Sequence, residues 1–324
     1  MMRYIGKRIL QAIPAIIGVL IISFTIMHMA PGDPTVFLAG PEPPAGYVKE
    51  LQEEYGFNRP VYEQLILYLW NVAQGDLGRS YSFHAPAVDV VLGRVPLTLS
   101  LMFSALTIAV IIGLFLGTEA ARRPNTKLDA ILQISSVSMY SIPPFWLSMV
   151  AIIIFSVNLR IFPAIGYKSV GVEVANPIID IIWHSVLPVG ILALGRMSRY
   201  ARLTRASMLE ILGQDYIVTA RSRGCKERRV VYRHGLRNAL LSITTMIGLD
   251  VRFMLMGTVL VEIVFGWPGL GSLLWEGLLS RDYNLLMVIF IFVTIITVAS
   301  SIIVDVVYAF LDPRIRYGKK VKLD

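Results

Sequence analysis

Asp215–Leu240, DYIVTARSRGCKERRVVYRHGLRNAL, decides the fold. Arg221, Arg223, Lys226, Arg228, Arg229, Arg233 and Arg237 stand against two acids, Asp215 and Glu227, and long apolar runs lie on both sides. Asp215 to Arg223 reads as one short helix stopped by Gly224, because glycine enters the left-handed region cheaply and is the usual residue just past a helix end. A second helix is expected to start near Cys225 and to run into the next apolar segment. A strongly basic helix–turn–helix that leads into a membrane span is expected on the cytoplasmic side, where Lys and Arg gather.

The composition supports a membrane protein. Of 324 residues, 55% are hydrophobic and 16% charged, and the mean hydropathy is +0.65; soluble domains carry roughly 25% charged residues. A single polytopic domain over residues 1–324 is expected, with an external insertion at 31–96 and a cytoplasmic loop at 206–238. The lone Cys225 forms no internal disulfide, and no CxxC or Cys/His cluster suggests a metal site. The net charge of +8 reads as topology rather than nucleic-acid binding.

Six spans are expected in an all-α fold. The first, Ile9–Ala30, is too long for the apolar core of a cleaved leader, which is about 7–15 residues. In the insertion, Pro44–Tyr55 and Pro60–Gln74 read as amphipathic helices, with Tyr47, Leu51 and Tyr55, then Tyr62, Leu65 and Leu69, at helical spacing. The second span, Pro96–Thr118, contains Gly113-x3-Gly117, either a close helix contact or a chance pair facing lipid. The third, within Ala130–Leu159, is interrupted at Ser141-Ile142-Pro143-Pro144-Phe145-Trp146, where two prolines remove two donors. Such a break either lines a substrate path or serves packing alone. The fourth is poorly marked: Ile181–Gly195 is about half a spanning length, and Arg196, Arg199, Arg202 and Arg205 then form a basic stripe read as a solvated cytoplasmic extension. The fifth, Ala239–Phe265, carries Asp250, Arg252 and Glu262. The sixth, Asn284–Leu311, contains Asp305.

Placing the amino terminus, the 118–129 loop, the 196–237 region and the tail inside collects about 22 of the 30 Lys and Arg residues. Both termini are therefore expected in the cytoplasm.

Several ordered motifs resemble one family. Ala220-x3-Gly224-x9-His234 followed by Arg237-Asn238-Ala239 resembles the ATPase-docking loop of binding-protein-dependent ABC transporter permeases. Pro31-Gly32-Asp33-Pro34, Gly75-Asp76-Leu77-Gly78-Arg79-Ser80, the Pro143–Pro144 element, Glu262–Gly271 (EIVFGWPGLG), Arg281-Asp282-Tyr283 and Asp312–Arg316 (DPRIR) resemble elements of its dipeptide/oligopeptide subfamily. Ser242, Asp250 and Arg252 depart from that pattern, which usually has proline at the first position and uncharged residues at the other two.

The resemblance implies a type I ABC importer permease in the cell (inner/cytoplasmic) membrane, one of two homologous permease subunits paired as a heterodimer. Its other implied partners are two nucleotide-binding ATPase subunits, which bind ATP and Mg, and an extracytoplasmic solute-binding protein. No cofactor is expected in this chain. Asp215, Tyr216, Ala220, Arg221, Gly224, Glu227, His234 and Asn238 would form the ATPase-coupling loop. Gly75, Asp76, Gly78, Trp267, Pro268 and Gly269 would receive the binding protein.

For the translocation path, Pro143, Pro144, Asp250, Arg252 and Glu262 are the candidates. Asp250 and Arg252 lie roughly 16–20 Å into their span and point about 200° apart on an ideal helix, so a simple mutual pair is not expected. They either line a polar path or form structural pairs with neighbouring helices. Peptides are the expected solutes, with nickel chelates, glutathione, opines and oligosaccharides as alternatives.

Other function classes fit less well. The sequence holds no G-x-x-x-x-G-K-[ST] loop and no H-E-x-x-H. The four histidines, His28, His84, His184 and His234, are scattered, and no paired-carboxylate or GxGD-like context supports an intramembrane enzyme. A DNA-reading helix–turn–helix would end its second helix in solvent rather than in a membrane.

Overall fold

A computed structural model describes residues 2–29, 43–44, 46–54, 56, 58–171, 173–253 and 258–311. Pro31–Pro34 and the DPRIR segment lie outside these residues. Among the described residues every regular element is helical: α1 Met2–Met29, α2 Tyr47–Glu54, α3 Val61–Ala73, α4 Ala87–Arg122, α5 Lys127–Ser141, α6 Pro144–Ala151, α7 Pro177–Leu212, α8 Asp215–Ser222, α9 Glu227–Arg229, α10 Arg237–Arg252, α11 Val259–Val264, α12 Leu270–Leu279 and α13 Tyr283–Leu311. Ile152–Asn158 and Val230–Leu236 are π-helical continuations of α6 and α9. The chain divides into two compact units, Met1–Thr98 with Pro268–Ile302, and Leu99–Trp267 with Ile303–Asp324.

In the first unit, Leu20, Phe24 and Met27 recur along one face of α1 and pack on Leu286, Met287 and Ile291 of α13, with Leu65, Tyr68 and Leu69 of α3 against the same core. Asp282 caps α13: its Oδ1 accepts the Leu285 amide at 3.1 Å, as a capping carboxylate does. Its Oδ2 accepts Ser80 Oγ at 2.5 Å and the Ser82 amide at 3.0 Å. The Arg-Asp-Tyr motif is thus a helix cap that also pins the end of the insertion. Thr98 Oγ1 similarly accepts the Leu270 amide at 2.7 Å, at the start of α12.

The second unit is arranged on α7. Asn176 Oδ1 accepts the Ile178 and Ile179 amides at 3.0 and 3.4 Å, Pro177 takes the first helical position, and Gly213 ends the helix. The result is one 36-residue helix, not the half-length fourth span expected. Arginines do not end it because two of them are partnered across helices. Arg205 Nε and Nη2 both donate to Asp129 of α5, the latter at 2.6 Å, and Arg199 Nη1 donates to Asp250 of α10 at 2.9 Å. The solvated reading therefore holds for Arg202, which is exposed, but not for Arg199 or Arg205.

Gly113 and Gly117 bring α4 onto α7: a Cβ at Gly113 would stand 2.5 Å from Tyr200 Cβ, and one at Gly117 2.6 Å from Thr204 Cβ. The pair is a helix contact, not a lipid-facing coincidence.

By length and apolarity, Ala87–Arg122, Pro177–Leu212 and Tyr283–Val306 qualify as spans, and Lys127–Ser141 with Pro144–Asn158 qualify together, bent by 101°. That bend sits at Ile142-Pro143, as the two prolines predict. Among the described residues the count of six is not reached. Apolar helix over Ile13–Met29 falls just short of that length. The expected fifth span is divided, with α10 ending at Arg252 and α11 starting at Val259, while residues 254–257 lie outside the description. The second span extends past its expected limits, from Ala87 to Arg122 with Pro96 inside the helix. The insertion helices form at Tyr47–Glu54 and Val61–Ala73.

Candidate functional site

The basic loop folds into a short helix with a defined stop. After α8, the Gly224 amide donates to the Arg221 carbonyl at 2.9 Å and the Cys225 amide to the Ala220 carbonyl at 3.2 Å. These two bonds are those of a Schellman cap, which needs a left-handed residue; Gly224 supplies it with φ +76°. Ala220 and Gly224 are therefore linked by the turn that separates the two helices.

The other residues singled out in this loop come together in two groups. Arg221 Nη2 and Nε donate to the two Glu227 carboxylate oxygens at 2.9 and 3.2 Å, closing the turn. The Arg221 guanidinium holds the Glu227 carboxyl below the usual carboxylate range, and the same pair raises Arg221. Asn238 Nδ2 donates to Tyr216 Oη at 2.8 Å and to the His234 carbonyl at 2.9 Å. His234 takes part through its backbone. Asp215 stands in the first turn of α8, where a carboxylate suits the helix dipole.

Ile217 alone on α8 is fully buried, while Tyr216, Val218 and Arg221 are exposed. A short helix anchored by one apolar side chain and offering its remaining faces outward is suited to docking. Tyr232 fixes the loop to α4 by donating to Glu119 Oε1 at 2.6 Å, and this bond together with burial raises the Tyr232 phenol. Glu119 and Tyr232 carried no motif and escaped the sequence reading.

The residues expected to receive the binding protein differ in exposure. Gly75 and Gly78 have φ of +86° and +77°, and Asp76 Oδ1 accepts the Gly78 amide at 2.9 Å, so this segment is an exposed turn. Trp267 differs from its expected role at a surface: it is 1% exposed and meets Tyr167 edge-on with centroids 6.2 Å apart. It holds its turn from within. Gly269 is also buried, and Pro268 is half-buried.

Of the path candidates, Pro144 and Asp250 line one cavity of about 360 Å³ with Tyr140, Arg196, Arg199 and Phe253. Pro143 and Glu262 are not among its lining residues. Glu262 is instead fully buried. The Arg252 side chain lies outside the description. Asp250 forms an interhelical pair: Oδ1 accepts Arg199 and Oδ2 accepts the Tyr200 hydroxyl at 2.7 Å. The two readings of Asp250 are thus compatible, since the carboxylate is paired and also faces a cavity. Arg196 and Arg199 belong to this site and were missed because their stripe looked like the end of a span.

Spanning helices, a broken span beside a charged cavity and an exposed short helix on a basic loop describe the membrane component of a transport system. The chain belongs to the binding-protein-dependent transport system inner membrane component family, whose model matches residues 91–317; the model of the family's amino-terminal part matches residues 1–102. It is similar to the oligopeptide transport system permease protein AppB of Bacillus subtilis (strain 168), 39% identical over 98% of this chain and 100% of that one. The putative peptide transport system permease protein BAB2_1050 of Brucella abortus (strain 2308) is 37% identical over 96% and 98%. The glutathione transport system permease protein GsiC of Escherichia coli (strain K12) is 37% identical over 98% and 100%.

Among solved structures, the MetNI methionine ABC transporter in an inward-facing conformation shares the fold with a TM-score of 0.54 at 18% identity, over 69% of this chain and 96% of that one. The expected all-α importer-permease fold is the fold found, and the chain is a permease subunit of an ABC importer.

Proposed function

We propose that this chain forms half of the translocation path of a peptide importer. The observation that carries the peptide assignment is full-length likeness to relatives named for oligopeptides, peptides and glutathione. Glutathione, itself a small peptide, falls within the same solute class. In this reading the second half of the path comes from a homologous permease, an extracytoplasmic binding protein delivers the solute, and two separate ATPase subunits bind Mg–ATP and hydrolyse it.

Both termini lie in the cytoplasm and six segments cross the inner membrane. α8 with its Gly224 turn docks on an ATPase subunit; its exposure and its single buried anchor support that role. The Gly75–Gly78 turn and the adjoining insertion face the binding protein. Asp250 and the Pro143–Pro144 break lie along the path.

The test is uptake of labelled di- and oligopeptides by cells expressing this permease with its neighbouring subunits and lacking other peptide importers. ATP-dependent peptide accumulation is expected. Accumulation of nickel chelates, opines or oligosaccharides with none of peptides would overturn the assignment.

A further inference from the structure

Among the described residues that line the charged cavity, one cation, Arg196, keeps most of its donors uncommitted. Asp250 is engaged on both oxygens, by Arg199 at 2.9 Å and by Tyr200 at 2.7 Å. Arg199 is further placed by the Tyr140 ring, with its guanidinium 5.9 Å from the centroid. Arg196 lies three residues before Arg199 on α7, hence on nearly the same face. Its side-chain hydrogen bond is from Nη1 to the Leu192 carbonyl of its own helix, at 3.1 Å.

A guanidinium has five N–H donors in a planar fork that matches a carboxylate. Arg196 therefore retains donors at a cavity large enough for a small solute. Among the described lining residues, Arg196, Arg199 and Asp250 sum to one positive charge. The facing wall is apolar, built from Ile142, Pro144 and Leu147 of the broken span, and a low-dielectric wall strengthens an ionic contact.

We propose that Arg196 is the solute-recognition residue of this cavity and takes the carboxylate of a passing peptide. The Arg199–Asp250–Tyr200 group keeps Asp250 from capturing Arg196 fully, yet leaves its negative charge nearby. That charge tempers the site. A conducting site must bind well enough to admit a solute and weakly enough to release it, and an uncompensated guanidinium in a membrane would fail the second requirement. The assignment rests on the peptide-importer reading and adds the group that meets the solute.

The test uses the complete importer with its binding protein in proteoliposomes of zwitterionic lipid, which keeps anionic headgroups from competing. Arg196→Gln is expected to lower uptake of a free-carboxylate dipeptide about ten-fold or more, the scale of a lost charged hydrogen bond, with assembly retained. Arg196→Lys should recover part of it. Uptake by Arg196→Gln close to that of the parent would overturn the proposal.

Should Arg196→Gln not assemble, Leu147→Cys in a Cys225→Ser background keeps Arg196 and reports from the cavity wall. A dipeptide should slow thiol labelling several-fold and its carboxyl-terminal amide should not. Equal protection by both, or by neither, would also overturn it. If the parent importer moves no peptide at all, the proposed function fails instead.

Discussion

Asp129 and Arg205 give the sharpest energetic test of the fold. Asp129 is 1% exposed at its side chain and Arg205 19%. The carboxylate receives two donors from Arg205, the Asn125 amide at 3.0 Å and Gln133 Nε2 at 3.2 Å. Arg205→Met removes the only counter-charge in this set while roughly keeping the volume. A buried carboxylate then remains with two neutral donors. Breaking such a pair on one side costs about 3–5 kcal/mol, whereas replacing both partners by apolar side chains is close to neutral.

Arg205→Met should therefore lower the thermal midpoint of the purified permease complex by about 6–10 °C, taking roughly 2 °C per kcal/mol for a large chain. Asp129→Leu combined with Arg205→Met should recover most of the loss. The measurement is a melt in detergent followed by tryptophan fluorescence. A single variant as stable as the parent, or a double variant no better than the single, would refute the idea that α5 and α7 are joined by a desolvated ion pair.

Three further outcomes follow from the basic loop and the helix contacts. Gly224→Ala meets nothing within 4 Å, so its effect is conformational, about 1–2 kcal/mol for a left-handed residue; peptide moved per ATP hydrolysed should fall, and an unchanged ratio would show that the turn is not needed for coupling. The Arg221–Glu227 pair is exposed and contributes at most about 1 kcal/mol. Because the folded Glu227 carboxyl lies below its ordinary value, the contribution is complete above about pH 4.3 and disappears as pH falls through the depressed value. Hydrogen exchange over residues 215–229 should therefore be faster in Glu227→Gln than in the parent at pH 7, and the difference should shrink as pH falls below the ordinary carboxylate range. Gly117→Leu places carbon against Thr204 and the Ala201 carbonyl and should lose assembled complex, by about 1–3 kcal/mol or more; normal yield and melting would contradict the close contact of α4 with α7.

The parts of this molecule legible in the sequence are those governed by local rules. Gly224 was readable because only a left-handed residue closes a Schellman turn, and the Pro143–Pro144 break because two amides are missing there. The insertion helices showed their apolar spacing. What failed depended on distant partners. Arg199 and Arg205 looked like the end of a span because a charge is a stop signal until its counter-ion is known, and Asp250 and Asp129 lie 51 and 76 residues away respectively. Trp267 looked like a surface element because its motif is rich in turn residues; it is buried against residues such as Tyr167, which nothing in the motif identifies. Asp129, Asp282 and Glu119 drew no structural reading for the same reason: each acts through a contact that spacing does not encode.

The placement of those ion pairs bears on how the proposed docking loop would act on a distant cavity. α8 joins α7 through Gly213 and Gln214, and Gly235 of the following segment lies close to α7, where an added Cβ would be 3.0 Å from Met208 Cε. Displacement of α8 by a closing ATPase would therefore be delivered to α7. Asp129 would carry α5 with it and Asp250 would carry α10, because separating either pair exposes a charge to a poor solvent. α6 packs on α7 as well, but the ion pairs hold α5 and α10 rather than α6, and the 101° bend at Ile142-Pro143 separates its motion from that of α5. Relative movement would then concentrate at the cavity between the break and Arg196, the proposed place of solute recognition. Arg205→Met separates this lever from mere stability. Assayed well below its melting transition, it should still move less peptide per ATP than the parent, and a normal ratio would show that α5 is not carried by α7.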